Sequence, residues 1–243
     1  MNRTATDAKL NIHQPDRKLM MTLRKPHLTR LVALCALALA GQAEASRTTM
    51  STGYSVAGPQ EDAQGYRNAV EAALGGGQPG YGSAELPAFN YVSNHQRFGS
   101  ENDVAYHFTV EFEVTAALAG QWSFRAGVDF GDGGAMLLDD TVLHSSLSDM
   151  WWNGSWSGPG VLRGSAVLTE GLHTLHLYGL ERCCDGYFTT QFSVGDGPYV
   201  TFSNNDGLQP VSNVPEPSSW AMLAAGAGVL AQVQRRRRQV AGR

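Results

Sequence analysis

The feature that most constrains the fold is an alternation of apolar and polar residues along residues 106–115. The apolar members of this segment are Tyr106, Phe108, Val110, Phe112 and Val114. Successive side chains of a strand point to opposite faces, so a period of two predicts a strand with one buried and one solvated face. The chain is therefore expected to bury one side of a β-sheet.

Further segments with strand character follow at short intervals and are separated by turn residues. Asp139 and Asp140 mark the turn of a predicted hairpin, and Gly171 lies in a turn where a positive φ is easily adopted. Several short strands without intervening helices predict a mainly β fold, which is an antiparallel β-sandwich or jelly roll. The predicted strands are residues 121–128, 135–138, 141–143, 164–168, 171–180 and 187–194.

The section before the alternating segment has weaker periodicity. Tyr66, Val70 and Leu74 recur at helical spacing, which predicts a short helix over residues 60–74. Residues 83–97 are polar with scattered aromatics and are predicted to form a loop or an edge strand. The whole of this section is therefore expected to be irregular.

The N-terminal end has the three parts of a secretory signal peptide. Residues 31–40 are apolar, three basic residues precede them, and Ala43-Glu44-Ala45 follows them. This order predicts export and cleavage by signal peptidase after Ala45. The start of translation stays open between Met1, Met20 and Met21.

Removal of the two ends leaves an acidic domain. Residues 46–217 contain six arginines, no lysine and 19 acidic residues, a formal net charge of −13. Binding to nucleic acid through its phosphates needs clustered lysine and arginine, so this function is excluded. The acidity fits a soluble surface protein, and it also fits divalent cation binding.

The C-terminal end combines a proline motif, an apolar run and a basic block. Pro215, Glu216 and Pro217 form an extended lead-in, because two prolines disfavour a helix there. Residues 221–233 are apolar and predict a single helix, and residues 235–238 are four arginines that stay on the cytoplasmic side of a membrane. This apolar run is shorter than the roughly 20 residues of a stable membrane helix, so membrane contact is expected to be transient.

This order resembles the PEP-CTERM sorting signal of Gram-negative bacteria. The resemblance implies that an exosortase recognises Pro215-Glu216-Pro217 and that the protein reaches the cell surface or the extracellular matrix. An ordinary tail anchor, or a buried helix with a basic end, is the alternative.

The middle of the chain resembles the protective-antigen type β-sandwich of bacterial toxins, glycosidases and yeast adhesins, over residues 104–194. The resemblance is carried by residues 122–128, by Asp132-Gly133 leading to Asp139, and by Leu168-Thr169-Glu170-Gly171 before a long strand. It implies a domain that binds carbohydrate or acts as a spacer.

Lectin members of that family hold calcium with two adjacent aspartates before the glycine turn. Here the pair is Gly131-Asp132, so one carboxylate is missing and Asp129 would have to replace it. The resemblance implies a calcium site at Asp129, Asp132 and Asp139. The alternative is that these carboxylates bond to the backbone of their own turns.

Cys183 and Cys184 are the only cysteines of the exported part, and they are followed by Asp185-Gly186. The motif resembles the CCXG subgroup of PEP-CTERM proteins. An exported pair is expected to be oxidised, and a bridge between neighbours would close an eight-membered ring and hold a rigid turn. Free thiols, or a bond to another chain, are the alternatives.

A polar loop carries three indoles, Trp151, Trp152 and Trp156. Exposed aromatic rings stack on sugars and often mark binding faces, so these residues are candidate ligand contacts. The alternative is that the loop folds over one end of the sandwich and buries them.

Together these patterns predict an exported, exosortase-sorted surface or matrix protein with a non-catalytic β-sandwich that binds extracellular polysaccharide. A purely structural spacer of the biofilm matrix is the alternative, followed by a secreted hydrolase. The sequence has neither a Gly-x-Ser-x-Gly nor a His-Glu-x-x-His motif. The predicted segments are residues 1–45 (extension and signal peptide), 46–103 (irregular part), 104–202 (sandwich core), 203–213 (linker) and 214–238 (sorting signal).

Overall fold

The structure, a computed structural model, describes residues 45–211. Within these residues the chain forms twelve strands and two helices. The strands are β1 (Ser46–Tyr54), β2 (Ser83–Leu86), β3 (Asn102–Val114), β4 (Gly120–Gly127), β5 (Asp129–Phe130), β6 (Gly134–Leu138), β7 (Thr141–Ser146), β8 (Met150–Trp151), β9 (Val161–Leu168), β10 (Gly171–Cys183), β11 (Thr189–Val194) and β12 (Val200–Thr201). The helices are α1 (Ala63–Ala73) and α2 (Asn94–Phe98).

The strands pair antiparallel in two main sheets and one short ribbon. The larger sheet has six strands in the order β2-β1-β3-β10-β6-β7, and the smaller has four in the order β12-β11-β4-β9. The ribbon consists of β5 and β8. The predicted mainly β, antiparallel sandwich is therefore confirmed.

Aromatic rings from β3 and β4 fill the space between the two sheets. The alternating apolar residues of β3 are fully buried, as the period of two predicted. The ring of Phe112 on β3 lies 5.3 Å from Trp122 and 6.0 Å from Phe124, both on β4, measured between centroids. The sheets thus pack face to face across a layer of rings.

Helix α1 covers the other face of the larger sheet. Tyr66 and Val70 are buried, as predicted, and pack in a second apolar cluster with residues of β3, β6 and β10. The helix begins after Asp62, whose side chain accepts a hydrogen bond from the Gly65 N–H, and it ends at Leu74.

The prediction of an irregular section over residues 46–103 is wrong at its start. Strand β1 pairs with β3 along its whole length, from Ser46 opposite Phe112 to Tyr54 opposite Val104. Its buried side is mostly polar, with Ser46, Thr48 and Thr52 beside Met50, so hydrophobic periodicity does not reveal it. Strand β2 lies at the edge of this sheet, as expected.

The predicted linker also differs from the structure where it is described. Leu208 and Val211 are buried, and Gln209 forms a bridge with Glu113 of β3. Residues 203–211 therefore pack against the sandwich.

Candidate functional site

A cleft of about 390 Å³ opens where the β5–β8 ribbon meets the end of β10. Most of its wall is polar, and carboxylates are the commonest groups in it. The lining residues are Asp129, Gly131, Asp132, Asp149, Trp151, Glu181, Arg182, Cys183 and Cys184.

The β5–β8 ribbon places an indole opposite a carboxyl group. Phe130 pairs with Met150, and both are buried, which anchors the ribbon in the core. Asp129 pairs with Trp151, and directly opposite residues of an antiparallel pair project to the same face. Asp129 is only 6% exposed, whereas Trp151 is 62% exposed. The ribbon therefore presents an accessible aromatic face beside a buried acid.

Glu181 brings a second buried carboxylate into the cleft. It is 3% exposed, and its oxygens accept hydrogen bonds from the Gly131 N–H at 2.5 Å and the Cys183 N–H at 2.7 Å. Burial raises the pKa of Glu181, and the two N–H donors act against that rise. The backbone thus fixes this carboxylate in one orientation.

The Cys183-Cys184-Asp185-Gly186 turn builds the adjoining wall. The two cysteines form a disulfide, and the peptide bond between them is cis. The Asp185 carboxylate accepts hydrogen bonds from the Tyr106 hydroxyl and, at 2.6 Å, from the His95 N–H. A Cβ added to Gly186 would lie 2.1 Å from Asp129 Oδ2. The turn therefore approaches Asp129 so closely that only glycine fits at this position.

Asp129 is the most perturbed acid of the cleft. Burial, and then the nearby carboxylates of Glu181, Asp185 and Asp149, raise its pKa to about 7. Its carboxyl group therefore carries a proton for part of the time at neutral pH, and it then donates as well as accepts hydrogen bonds.

Trp152 and Trp156 do not line the cleft, and their rings contact each other in a tilted arrangement. Trp152 is buried and packs on the backbone of Gly127, where a Cβ would lie 2.2 Å from Trp152 Cδ2. Trp156 lies 5.0 Å from Trp152 between ring centroids, and the Arg125 guanidinium carbon lies 4.1 Å from the Trp156 centroid. Of the three predicted tryptophans, Trp151 alone lines the cleft, and the other two support the loop that carries it.

Comparison with known proteins identifies the C-terminal segment. Residues 213–238 match the family model described as the PEP-CTERM protein-sorting motif. The chain carries a PEP-CTERM motif. The motif indicates export and cell-surface sorting by an exosortase. No curated protein matches the chain significantly.

Several solved structures resemble the fold at low sequence identity. They include the PA14 sugar-binding domain of an RTX adhesin, at 12% identity and TM-score 0.45, with coverage of 68% of this chain and 98% of that one. The A domain of epithelial adhesin 9 from Candida glabrata, in complex with Galβ1-4GlcNAc, has 10% identity, TM-score 0.43 and coverages of 71% and 93%. The PA14 domain of the antifreeze protein MpAFP has 10% identity, TM-score 0.45 and coverages of 70% and 93%.

The two ends of the chain lie outside the described residues. This applies to the predicted signal peptide, to Pro215, Glu216 and Pro217, and to the apolar helix of residues 221–233. Among residues 45–211, no helix is long and apolar enough to cross a membrane.

The three aspartates predicted as calcium ligands are not brought together. Asp129 and Asp132 line the cleft, but Asp139 lies beyond the far end of β6, which extends over five residues between Asp132 and Asp139. There the Asp139 carboxylate accepts a hydrogen bond from the Thr174 N–H at 2.9 Å. In residues 45–211, no three His, Cys, Asp or Glu side chains form a group that could hold a metal ion. Calcium binding at Asp129 and Asp132 stays a prediction.

Sequence inspection missed Glu181 and Asp149 as residues of the cleft. A Cβ added to Gly131 would lie 3.0 Å from both Glu181 oxygens, so Glu181 fills the space beside the Gly131-Asp132 pair where the sequence lacks a carboxylate. The available signal was Glu181 itself, an acidic residue in the buried end of β10. Such a position indicates a functional role, because an unpaired buried Glu is rare.

Proposed function

We propose that the exported domain is a non-catalytic carbohydrate-binding module and that the cleft beside Trp151 holds the sugar. The observation that carries the proposal is the pairing of exposed Trp151 with buried Asp129 across the β5–β8 ribbon. An indole face packs against the C–H face of a sugar ring, and carboxyl groups bind its hydroxyls.

The charge and shape of the cleft support this proposal. The cleft is open and polar, and two backbone N–H donors fix the Glu181 carboxylate in it. Asp129, with a pKa of about 7, both donates to and accepts from hydroxyl groups near neutral pH. Fixed polar groups beside one apolar surface are typical of sites that orient a small polar ligand.

The direct test is retention of the purified exported protein on an array of polysaccharides, with and without calcium. Trp151→Ala should reduce retention at least about tenfold, because stacking of an exposed ring contributes roughly a few kcal/mol to binding. Tyr54→Ala is the control. It removes an exposed aromatic ring that does not line the cleft, and it should leave retention unchanged.

Trp152→Ala is not an informative binding variant, because Trp152 is a buried packing residue. Its loss should destabilise the fold by about 3 kcal/mol.

Two results of the array experiment would favour the alternative functions. If the intact protein is retained by no glycan, the structural spacer is favoured. If a retained glycan releases reducing ends, a hydrolase is favoured.

We further propose that Pro215, Glu216 and Pro217 are the residues that the exosortase recognises and that delivery ends at the cell surface or in the extracellular matrix. The match of residues 213–238 to the PEP-CTERM motif supports this proposal. The acidic composition of the described domain is compatible with a solvated surface location.

A further inference from the structure

We infer that the cleft selects glycans that carry a protonated amine, namely polymers of amino sugars whose nitrogen is not acetylated. This inference rests on the proposed function and specifies its ligand class. It depends on the charges that the cleft leaves uncompensated.

The cleft holds more negative charge than its own residues neutralise. Arg182 is its one cationic lining residue among those described, and this guanidinium already pairs with Asp132 at 3.3 Å. Within residues 45–211, Asp129, Asp149 and Glu181 have no ion-pair partner. A ligand with a positive group would therefore meet three carboxyl groups without first breaking an ion pair.

Because Asp129 is buried, the excess of negative charge in the cleft is unfavourable for the protein without a ligand. Asp129 is 6% exposed and lines the cleft, and the backbone N–H of Gly186 is a donor that lowers its pKa against the effect of burial. A buried carboxylate without a compensating charge is unfavourable, and here it relieves the cost by taking up a proton. A bound ammonium group would supply the missing charge and displace that proton.

The remaining titratable groups around Asp129 favour a cation in the same way. Asp149 precedes β8 and is exposed, Glu181 lies on β10, and Asp185 lies in the turn after β10. Tyr106 of β3 faces the cluster as a neutral phenol, because burial and the adjacent acids raise its pKa well above its ordinary value. Each of these acids repels an anionic sugar, such as a uronate.

Trp151 adds a second attraction for an ammonium group. Its indole is exposed and lies directly opposite Asp129, so a sugar stacked on it carries its substituents toward the carboxyl groups. A cation over an indole face is attracted by the ring quadrupole. An N-acetylated sugar would still stack on the indole but would carry no positive charge.

The experiment compares three oligosaccharides of equal length by titration calorimetry in buffer with a chelator. They are a fully deacetylated glucosamine oligomer, its N-acetylated counterpart and an oligouronate. The deacetylated oligomer should bind about tenfold more tightly than the acetylated one, which is the size expected for one charge-assisted contact. In buffer acidic enough to keep the free amine protonated, binding should also release the Asp129 proton, seen as a dependence of the measured heat on the ionisation enthalpy of the buffer.

Two variants and a control assign the preference to the cleft. Asp149→Asn and Asp129→Asn should each reduce the ratio of the affinity for the deacetylated oligomer to the affinity for the acetylated one. Asp129→Asn should also abolish the proton release. Asp196→Asn removes an exposed acid in the turn after β11 and should change neither quantity.

Equal affinity for the deacetylated and acetylated oligomers, or preference for the uronate, would overturn this inference and leave the proposed function standing. A preference for the deacetylated oligomer that survives both cleft variants would overturn it too, because the selecting charge would then lie elsewhere. Binding of none of the three oligomers would overturn this inference, and the wider polysaccharide array then decides whether the proposed function fails with it.

Discussion

At the scale of single residues, Asp129 connects the architecture of the cleft to the stability of the fold. Its ordinary pKa is 3.8, and burial among other acids raises it to about 7 in the folded state. Between these two values the folded protein holds a proton that the unfolded chain releases. This residue therefore makes the fold less stable as the pH rises from about 4 to about 7, and its effect is constant above that range.

Asp129→Asn should remove this pH dependence. At pH 8 the variant should be more stable than the native protein, by up to about 4 kcal/mol, whereas at pH 4 the two should be similar. Urea unfolding at the two pH values measures the difference, and Asp196→Asn serves as an exposed control. A variant that is less stable than the native protein at pH 8 would show that Asp129 is ionised and favourably bonded in the fold.

At the scale of elements, the alternation along β3 and β4 was predictable because their buried side is apolar. Strand β1 was not, because its inward residues are mainly Ser and Thr, which are equally common in loops.

The cleft was less predictable, because it depends on which residues of β5 and β8 pair. These two strands are very short, and a hairpin and a loop separate them in the sequence, yet their pairing is what places Asp129 opposite Trp151. The sequence therefore identified Trp151, Asp129, Asp132 and the cysteine pair as candidates, but not their common location or the role of Glu181.

The Cys183-Cys184-Asp185-Gly186 turn is the element that sets how closely β10 approaches β5. Gly186→Ala places a methyl group 2.1 Å from Asp129 Oδ2 and should displace the turn or the carboxyl group. We expect a loss of about 1–3 kcal/mol of stability, as for other overpacked sites. Gly76→Ala, where the nearest atom lies 3.7 Å from the added Cβ, should cost much less in the same unfolding measurement.

At the scale of the whole molecule, an acidic sandwich is combined with a C-terminal PEP-CTERM motif. The described domain carries the cleft and residues 213–238 match the sorting motif, so the proposed sugar binding and the sorting are assigned to separate segments. Substitutions in one segment are expected to leave the function of the other intact.

Replacement of Pro215, Glu216 and Pro217 by alanine should leave the protein in the membrane fraction, because the processing enzyme would no longer recognise it. Fractionation of producing cells, with detection of the sandwich domain, measures this. Alanine at Ser218 and Ser219, just after the motif residues, is the matched control and should preserve delivery. Unchanged delivery of the triple variant would contradict the sorting role of these three residues.

We propose that the cleft between the β5–β8 ribbon and the end of β10 is the sugar-binding site. A two-dimensional NMR titration of the exported protein with an oligosaccharide retained on the array tests it most directly. We expect the signals of the Trp151 indole N–H and of the Gly131, Cys183 and Gly186 amides to shift together and to saturate at one ligand concentration. A second groove is lined by Tyr54 at the end of β1, by Tyr81 and by the residues that follow α1. Shifts confined to this second groove, with the cleft signals unmoved, would contradict the assignment.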